Sequence, residues 1–155
     1  MTSGDIVRLW DENTPKLFGY LVNTLRDRML AEDILQSTWT KALEALPRYQ
    51  ERGLPFSSWL FAIARNECNL YWRKSNREIP LDPQKHDILT EPNNDPAIMA
   101  QHILSKLHED DRELLRLRYI ADLPMNAIAK ILNINIVAVR VRVYRALKQA
   151  QQHYA

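Results

Sequence analysis

Leu123-Pro124-Met125-Asn126-Ala127-Ile128-Ala129-Lys130-Ile131-Leu132-Asn133-Ile134-Asn135-Ile136-Val137-Ala138-Val139-Arg140-Val141-Arg142-Val143-Tyr144-Arg145-Ala146-Leu147-Lys148-Gln149-Ala150 is the stretch whose reading decides the fold. Leu123-Pro124 opens a short helix, Met125 to Leu132, with Ile128, Ala129, Ile131 and Leu132 as its apolar positions. Asn133 tolerates the left-handed backbone of a tight turn, and Asn135 is a natural N-cap for the helix that follows. Along that helix Ile136, Val139, Val143, Ala146, Leu147 and Ala150 form one stripe, leaving Arg140, Arg142, Tyr144, Arg145 and Lys148 on the rest. A small Ala129, a turn residue four positions later and an apolar Val139 six beyond it suit two helices crossing closely. The pattern predicts a helix-turn-helix whose second helix enters a major groove. Val139 to Val143 also alternates with period two and would suit a strand. The helix is preferred because the alternation breaks at Ala146 while the helical stripe persists to Ala150.

Charge distribution supports the same reading. The net charge of +2 says little, but after Asp122 the sequence has no acidic side chain and carries Lys130, Arg140, Arg142, Arg145 and Lys148. A phosphate backbone rewards that footprint. A content of 46% hydrophobic and 26% charged residues over 155 positions excludes general disorder and allows one ordinary domain or two small ones. The longest apolar run, Trp59 to Ala64, is far short of the roughly 20 residues that span a bilayer, and the opening MTSGDIVRLWDEN lacks a signal pattern. A cytoplasmic protein without membrane insertion is expected. Cys68 is the single cysteine, a small neighbour of the third helix, so no intrachain disulfide can form. His86, His102, His108 and His153 have no paired ligand spacing, and no phosphate loop or nucleophile elbow occurs. No catalytic residue, metal or cofactor is therefore expected.

Pro80, Pro83, Pro92 and Pro96, with Asn93 and Asn94 and a net acidic charge, mark a linker over 78–95 between lobes 1–77 and 96–155. The fold class expected is all-α, two small helical domains. In the first lobe Thr14-Pro15 reads as a helix start, followed by Leu17, Phe18, Leu21, Val22 and Leu25 as the buried side. A second helix places Leu30, Ile34, Leu35, Trp39, Ala42, Leu43 and Leu46 inward and Glu32, Asp33, Gln36, Ser37, Thr40 and Lys41 outward, ending at Pro47. Ser57 can cap a third helix with Trp59, Leu60, Ile63, Ala64, Leu70 and Tyr71 inward and Phe61, Arg65, Asn66, Asn69, Trp72, Arg73 and Arg77 outward. In the second lobe Asp95 caps a helix opened by Pro96, and Asp110 or Asp111 caps the run Leu114, Leu115, Leu117, Arg118 and Ile120.

Four blocks in order carry a resemblance: Ala31-Glu32-Asp33-Ile34-Leu35-Gln36 with Trp39; Phe56-Ser57-Ser58-Trp59-Leu60; Ile63-Ala64-Arg65-Asn66; and Arg112-Glu113-Leu114-Leu115-Arg116-Leu117-Arg118-Tyr119 with the helix-turn-helix. Together they resemble the extracytoplasmic-function sigma factors of bacterial RNA polymerase, which keep conserved regions two and four. The resemblance implies that the chain directs core polymerase to specific promoters and assists their melting. It implies that Asp33, Gln36, Thr40 and Lys41 dock on the clamp helices of the β′ subunit, with β as a further contact. Tyr49, Arg52, Ser57, Ser58, Phe61, Arg65, Asn66, Asn69 and Arg73 would meet the minus-ten element, where aromatic and amide groups beside arginines suit an unstacked base and a single strand. Asn135, Val137, Ala138, Arg140, Val141, Arg142, Tyr144, Arg145 and Lys148 would read the minus-thirty-five duplex. An anti-sigma partner that wraps both lobes is also implied. Ser37, Leu70, Asn126-Ala127, Asn133, Val137 and Val141 depart from the family's usual residues. The competing reading is a stand-alone helix-turn-helix regulator of operator DNA, which has no need of an exposed face from Phe61 to Arg73.

Overall fold

Thr2 and Asp5 close a reciprocal cap: the Asp5 amide donates to the Thr2 hydroxyl (3.2 Å) and the Thr2 amide to the Asp5 carboxylate (3.0 Å). The first helix, α1, therefore begins at Ser3 and runs to Leu25 in the computed structural model, which describes residues 2–78 and 102–154. The bond from the Thr2 backbone, and then that from its hydroxyl, hold the Asp5 carboxyl below its ordinary 3.8. The expected start at Thr14-Pro15 is corrected, since Pro15 lies exposed inside α1. Tertiary contacts hold the turns before it. The Thr14 hydroxyl accepts the Trp39 indole N–H (3.1 Å) instead of capping, and the Trp10 ring lies 4.9 Å from Trp39.

Arg26 ends α1 in the left-handed region (φ 54°), its N–H bonded to the Val22 carbonyl. Asp27 then caps α2, Arg28–Ala45, by accepting from the Leu30 amide (3.1 Å). Pro47 sits in a 3₁₀ turn, Leu46–Arg48, that closes α2 as expected. The third helix, α3, spans Phe56–Glu78, so Ser57 lies within its first turn and is not its cap.

Leu17, Tyr20, Leu21 and Leu25 of α1 form the N-terminal core with Ala31, Ile34, Trp39 and Ala42 of α2 and Leu60, Phe61, Ala64 and Cys68 of α3. The buried stripe of α3 is thus rotated from the expected one. Phe61, expected outward, is fully buried with its ring edge-on to Tyr20 at 5.4 Å, whereas Leu70 and Tyr71, expected inward, are exposed. The rotation brings Glu67 inward, where the Lys41 ammonium pairs with its carboxylate. Leu43 of α2 is likewise exposed, and Trp59 is half-buried.

In the C-terminal part His108, rather than Asp110 or Asp111, precedes α4, Glu109–Leu115, its ring nitrogen accepting from the Asp110 amide (3.4 Å). The three acids fill the first turn, where the helix dipole favours them. The chain continues as a π-helical turn, Arg116–Ile120, closed by the Ala121 amide on the Arg116 carbonyl (2.9 Å). Asp122 (φ 57°) reverses the chain before α5, Met125–Leu132, and α6, Ile136–Tyr154. Leu114, Leu117, Leu123, Ala127, Ile128, Val139, Val143 and Ala146 form this core. The helical reading of 139–143 holds, and no strand occurs among the described residues.

The chain divides into two units, Met1–Asp82 and Pro83–Ala155. Of the expected linker over 78–95, residue 78 is the last of α3, while 79–95 and the helix start at Asp95-Pro96 lie outside the described residues, as do the side chains of Arg77, His86 and His153.

Candidate nucleic-acid interface

The turn between α5 and α6 forms because one residue accepts a left-handed backbone. Asn133 (φ 55°, ψ 48°) caps α5, and the Ile134 amide donates to the Ala129 carbonyl (3.0 Å). Asn135 then caps α6: its side-chain oxygen accepts from the Val137 amide (2.7 Å) and its carbonyl from the Val139 amide (3.1 Å). Ile128 and Val139, both fully buried, lie on the apolar sides of the two helices.

The opposite side of α6 is open. Asn135, Val137, Arg140, Val141, Arg142, Tyr144, Arg145 and Lys148 are exposed, and Ala138 is half-buried. Among the described residues none of Arg140, Arg142, Arg145 and Lys148 is paired with a carboxylate, so their charge is free for an anion. The Lys148 ammonium lies 5.0 Å from the centre of the Tyr144 ring.

Behind this surface the chain holds a buried cation. Arg116, 3% exposed, donates to Glu109 (2.6 Å) and to Glu113 (2.7 Å). Burial alone would pull its guanidinium down; the Glu113 and Glu109 carboxylates outweigh that and hold it above its ordinary value. Arg118 donates to the Leu123 carbonyl (3.1 Å), tying the π-helical turn to the entrance of α5.

In the N-terminal unit the residues expected to meet single-stranded DNA separate into two groups. Arg52, Asn66 and Arg73 are exposed, and Ser57, Arg65 and Asn69 are half-buried. Phe61 and Ser58 are buried, which corrects their placement on an outer surface; the Ser58 hydroxyl is spent on the Pro55 carbonyl (2.7 Å). Tyr49 stands between. Its ring lies 4.9 Å from Trp59 and 5.5 Å from Phe56, in an aromatic cluster that continues through Trp39 to Trp10. Burial, and after it the neighbouring Glu51, push its phenol above the ordinary 10.0.

The four residues expected to dock on polymerase come together. Asp33, Gln36, Thr40 and Lys41 line one open depression of about 500 Å³ on α2, with Ser37, Glu44 and Glu67. Sequence reasoning missed Glu67. No local signal could have found it, because its pairing with Lys41 depends on how α2 and α3 pack. Among the described residues no cluster of three or more His, Cys, Asp or Glu could hold a metal, and no helix is long and apolar enough to cross a membrane.

A helix-turn-helix that leaves an unpaired cationic face on its second helix defines a DNA-binding protein. Residues 9–78 match the family model of Sigma-70 region 2 and residues 98–149 that of Sigma-70, region 4. The chain is 33% identical over 134 residues to the ECF RNA polymerase sigma factor ShbA of Streptomyces griseus, covering 79% of this chain and 70% of that protein. It is 26% identical to the ECF RNA polymerase sigma factor SigM of Bacillus subtilis, over 99% and 96% of the two. The sigma factor RpoE, solved in complex with the anti-sigma factor NepR from Bartonella quintana, superposes with a TM-score of 0.76 and 26% identity over 96% of this chain and 95% of that one. The chain belongs to the sigma-70 family and is an extracytoplasmic-function RNA polymerase sigma factor.

Proposed function

We propose that the chain divides its work between lobe 1–77 and lobe 96–155, joined through 78–95. In the C-terminal lobe α6 enters the major groove of the minus-thirty-five element. Asn135, Val137, Ala138, Arg140, Val141, Arg142, Tyr144, Arg145 and Lys148 form the contact surface. The observation that carries this reading is the exposed cationic face of α6, which has no carboxylate partner among the described residues.

In the N-terminal lobe the depression lined by Asp33, Gln36, Thr40 and Lys41 receives the β′ clamp helices of core polymerase. Arg52, Arg65, Asn66, Asn69 and Arg73 border the melted minus-ten strand, with Tyr49 and Ser57 at its edge. Phe61 and Ser58 act from the interior by fixing α3 and the loop before it. Polymerase performs the chemistry, and this chain contributes no catalytic group and no cofactor. It works in the cytoplasm. The RpoE likeness supports an anti-sigma protein as a further partner that sequesters both lobes.

Run-off transcription with purified core polymerase tests the reading. Promoter-dependent starts that require this chain are expected. Sound assembly with core but no promoter-dependent initiation on any candidate promoter would leave the stand-alone regulator as the better account.

A further inference from the structure

The open face of α6 is not uniformly basic. At about 100° per residue, Val141 projects opposite the buried Val139, Val143 and Ala146. Val137, Tyr144 and Lys148 fall with it inside an arc of about 60°. Arg140 stands beyond one edge of this strip, and Arg145 and Arg142 beyond the other. Val137 is 60% exposed, Val141 41% and Tyr144 60%. A single exposed valine needs no explanation. Three apolar side chains at i, i+4 and i+7 along the outermost line of a helix do, because Lys, Glu or Gln would give better helix propensity and solubility there.

Charge names the occupant. Cations on both edges of an apolar strip match a partner that is negative at two rims and offers methyl groups between them. A DNA major groove has that form, with phosphates along both rims and thymine C5-methyl groups on its floor. The absence of any acidic side chain after Asp122 favours a polyanion over a protein surface.

We propose that Val137 and Val141 read thymine methyl groups in the duplex that α6 enters, while Arg140, Arg142 and Arg145 hold its phosphates. The inference rests on α6 being the promoter-reading helix and adds the chemical feature that it selects. Sequence choice at these positions then comes from methyl contact and not from hydrogen bonding, so it discriminates thymine from uracil.

The test uses the holoenzyme formed by the full chain and core polymerase. Duplexes are selected from a random pool, and each thymine in the protected upstream segment is then replaced singly by uracil. One or two replacements are expected to weaken binding about fourfold each, the ratio for one buried methyl-sized group. Val137→Ala and Val141→Ala, both exposed and both improving helix propensity, should each abolish the discrimination at one position. Promoter-dependent transcripts together with equal binding of thymine and uracil duplexes would overturn the inference alone. So would alanine variants that keep the wild-type ratio, including variants that weaken assembly with core, which would make the strip a protein-docking surface. Absence of promoter-dependent transcripts altogether would sink the assignment of α6, and this inference with it.

Discussion

Arg116 shows how a charged side chain can belong to the core. It is 3% exposed, yet its guanidinium meets Glu109 at 2.6 Å and Glu113 at 2.7 Å, so the charge is compensated inside one short segment. Removing one partner of such a pair leaves the other charge poorly solvated. Glu109 is half exposed and can rehydrate, which lowers the cost, but Glu113 is 13% exposed and cannot do so fully. Arg116→Ala is therefore expected to destabilise the C-terminal unit by about 2–3 kcal/mol in urea unfolding. Arg116→Lys should recover little, because a point charge cannot bond both carboxylates in the same geometry. A loss below about 0.5 kcal/mol for the alanine variant would place the network among pairs of no consequence. The spacing of Glu109, Glu113 and Arg116 is legible in the sequence as neighbours on a helix face; the burial is not, since Arg116 opens a π-helical turn that no local residue pattern marks. Lys41 and Glu67 lie further still from legibility, because their meeting is a property of two packed helices.

At the scale of elements, what could be read followed how local the signals are. The bounds of α5 and the cap of α6 come from Pro124, Asn133 and Asn135 acting on their own neighbours, and the structure places them as the sequence predicts. The start of α1 could not be read that way, because a helix runs through Pro15 only when contacts such as Thr14 with Trp39 hold both sides of it. The face of α3 was misjudged for a related reason. Its true buried stripe contains Glu67 and Cys68, which do not announce themselves as core, while the exposed Leu70 and Tyr71 do. The sequence pattern therefore turns Phe61 outward, whereas its ring packs in the core against Tyr20. Two tests act on element ends. Asn133→Ala, forced into φ 55°, should lower stability by about 1 kcal/mol, whereas Asn133→Gly should be neutral or raise it by up to about 1 kcal/mol. Equal losses in thermal unfolding would mean that the Asn side chain, and not its backbone, holds the turn. The Asp5 carboxyl is held below 3.8 by Thr2, so the cap's contribution is complete above that value and is lost as pH falls through the lowered one. The Thr2 amide resonance should titrate with a midpoint below 3.8, and a midpoint at or above it would show the cap to be open in solution.

For the whole molecule, the division into two units has an energetic consequence. The depression on α2 belongs to Met1–Asp82 and the cationic face of α6 to Pro83–Ala155, so each site is carried by a unit with a core of its own. Their effects should separate. Arg140→Ala or Arg145→Ala is expected to weaken duplex binding and to lower the slope of log affinity against log salt by about 0.9, the release of one counterion. Neither should alter assembly with core polymerase. Asp33→Lys reverses a charge at the rim of the depression and should do the opposite, impairing assembly while leaving the salt slope of the full chain on duplex DNA unchanged. The paired measurement is decisive because each variant serves as the folding control for the other. If one substitution moved both readouts, either the units would act as a single body or the depression would itself touch DNA. An unchanged slope for both arginines would mean that the face of α6 is turned to solvent in the complex, and the promoter-reading role would have to move to another helix.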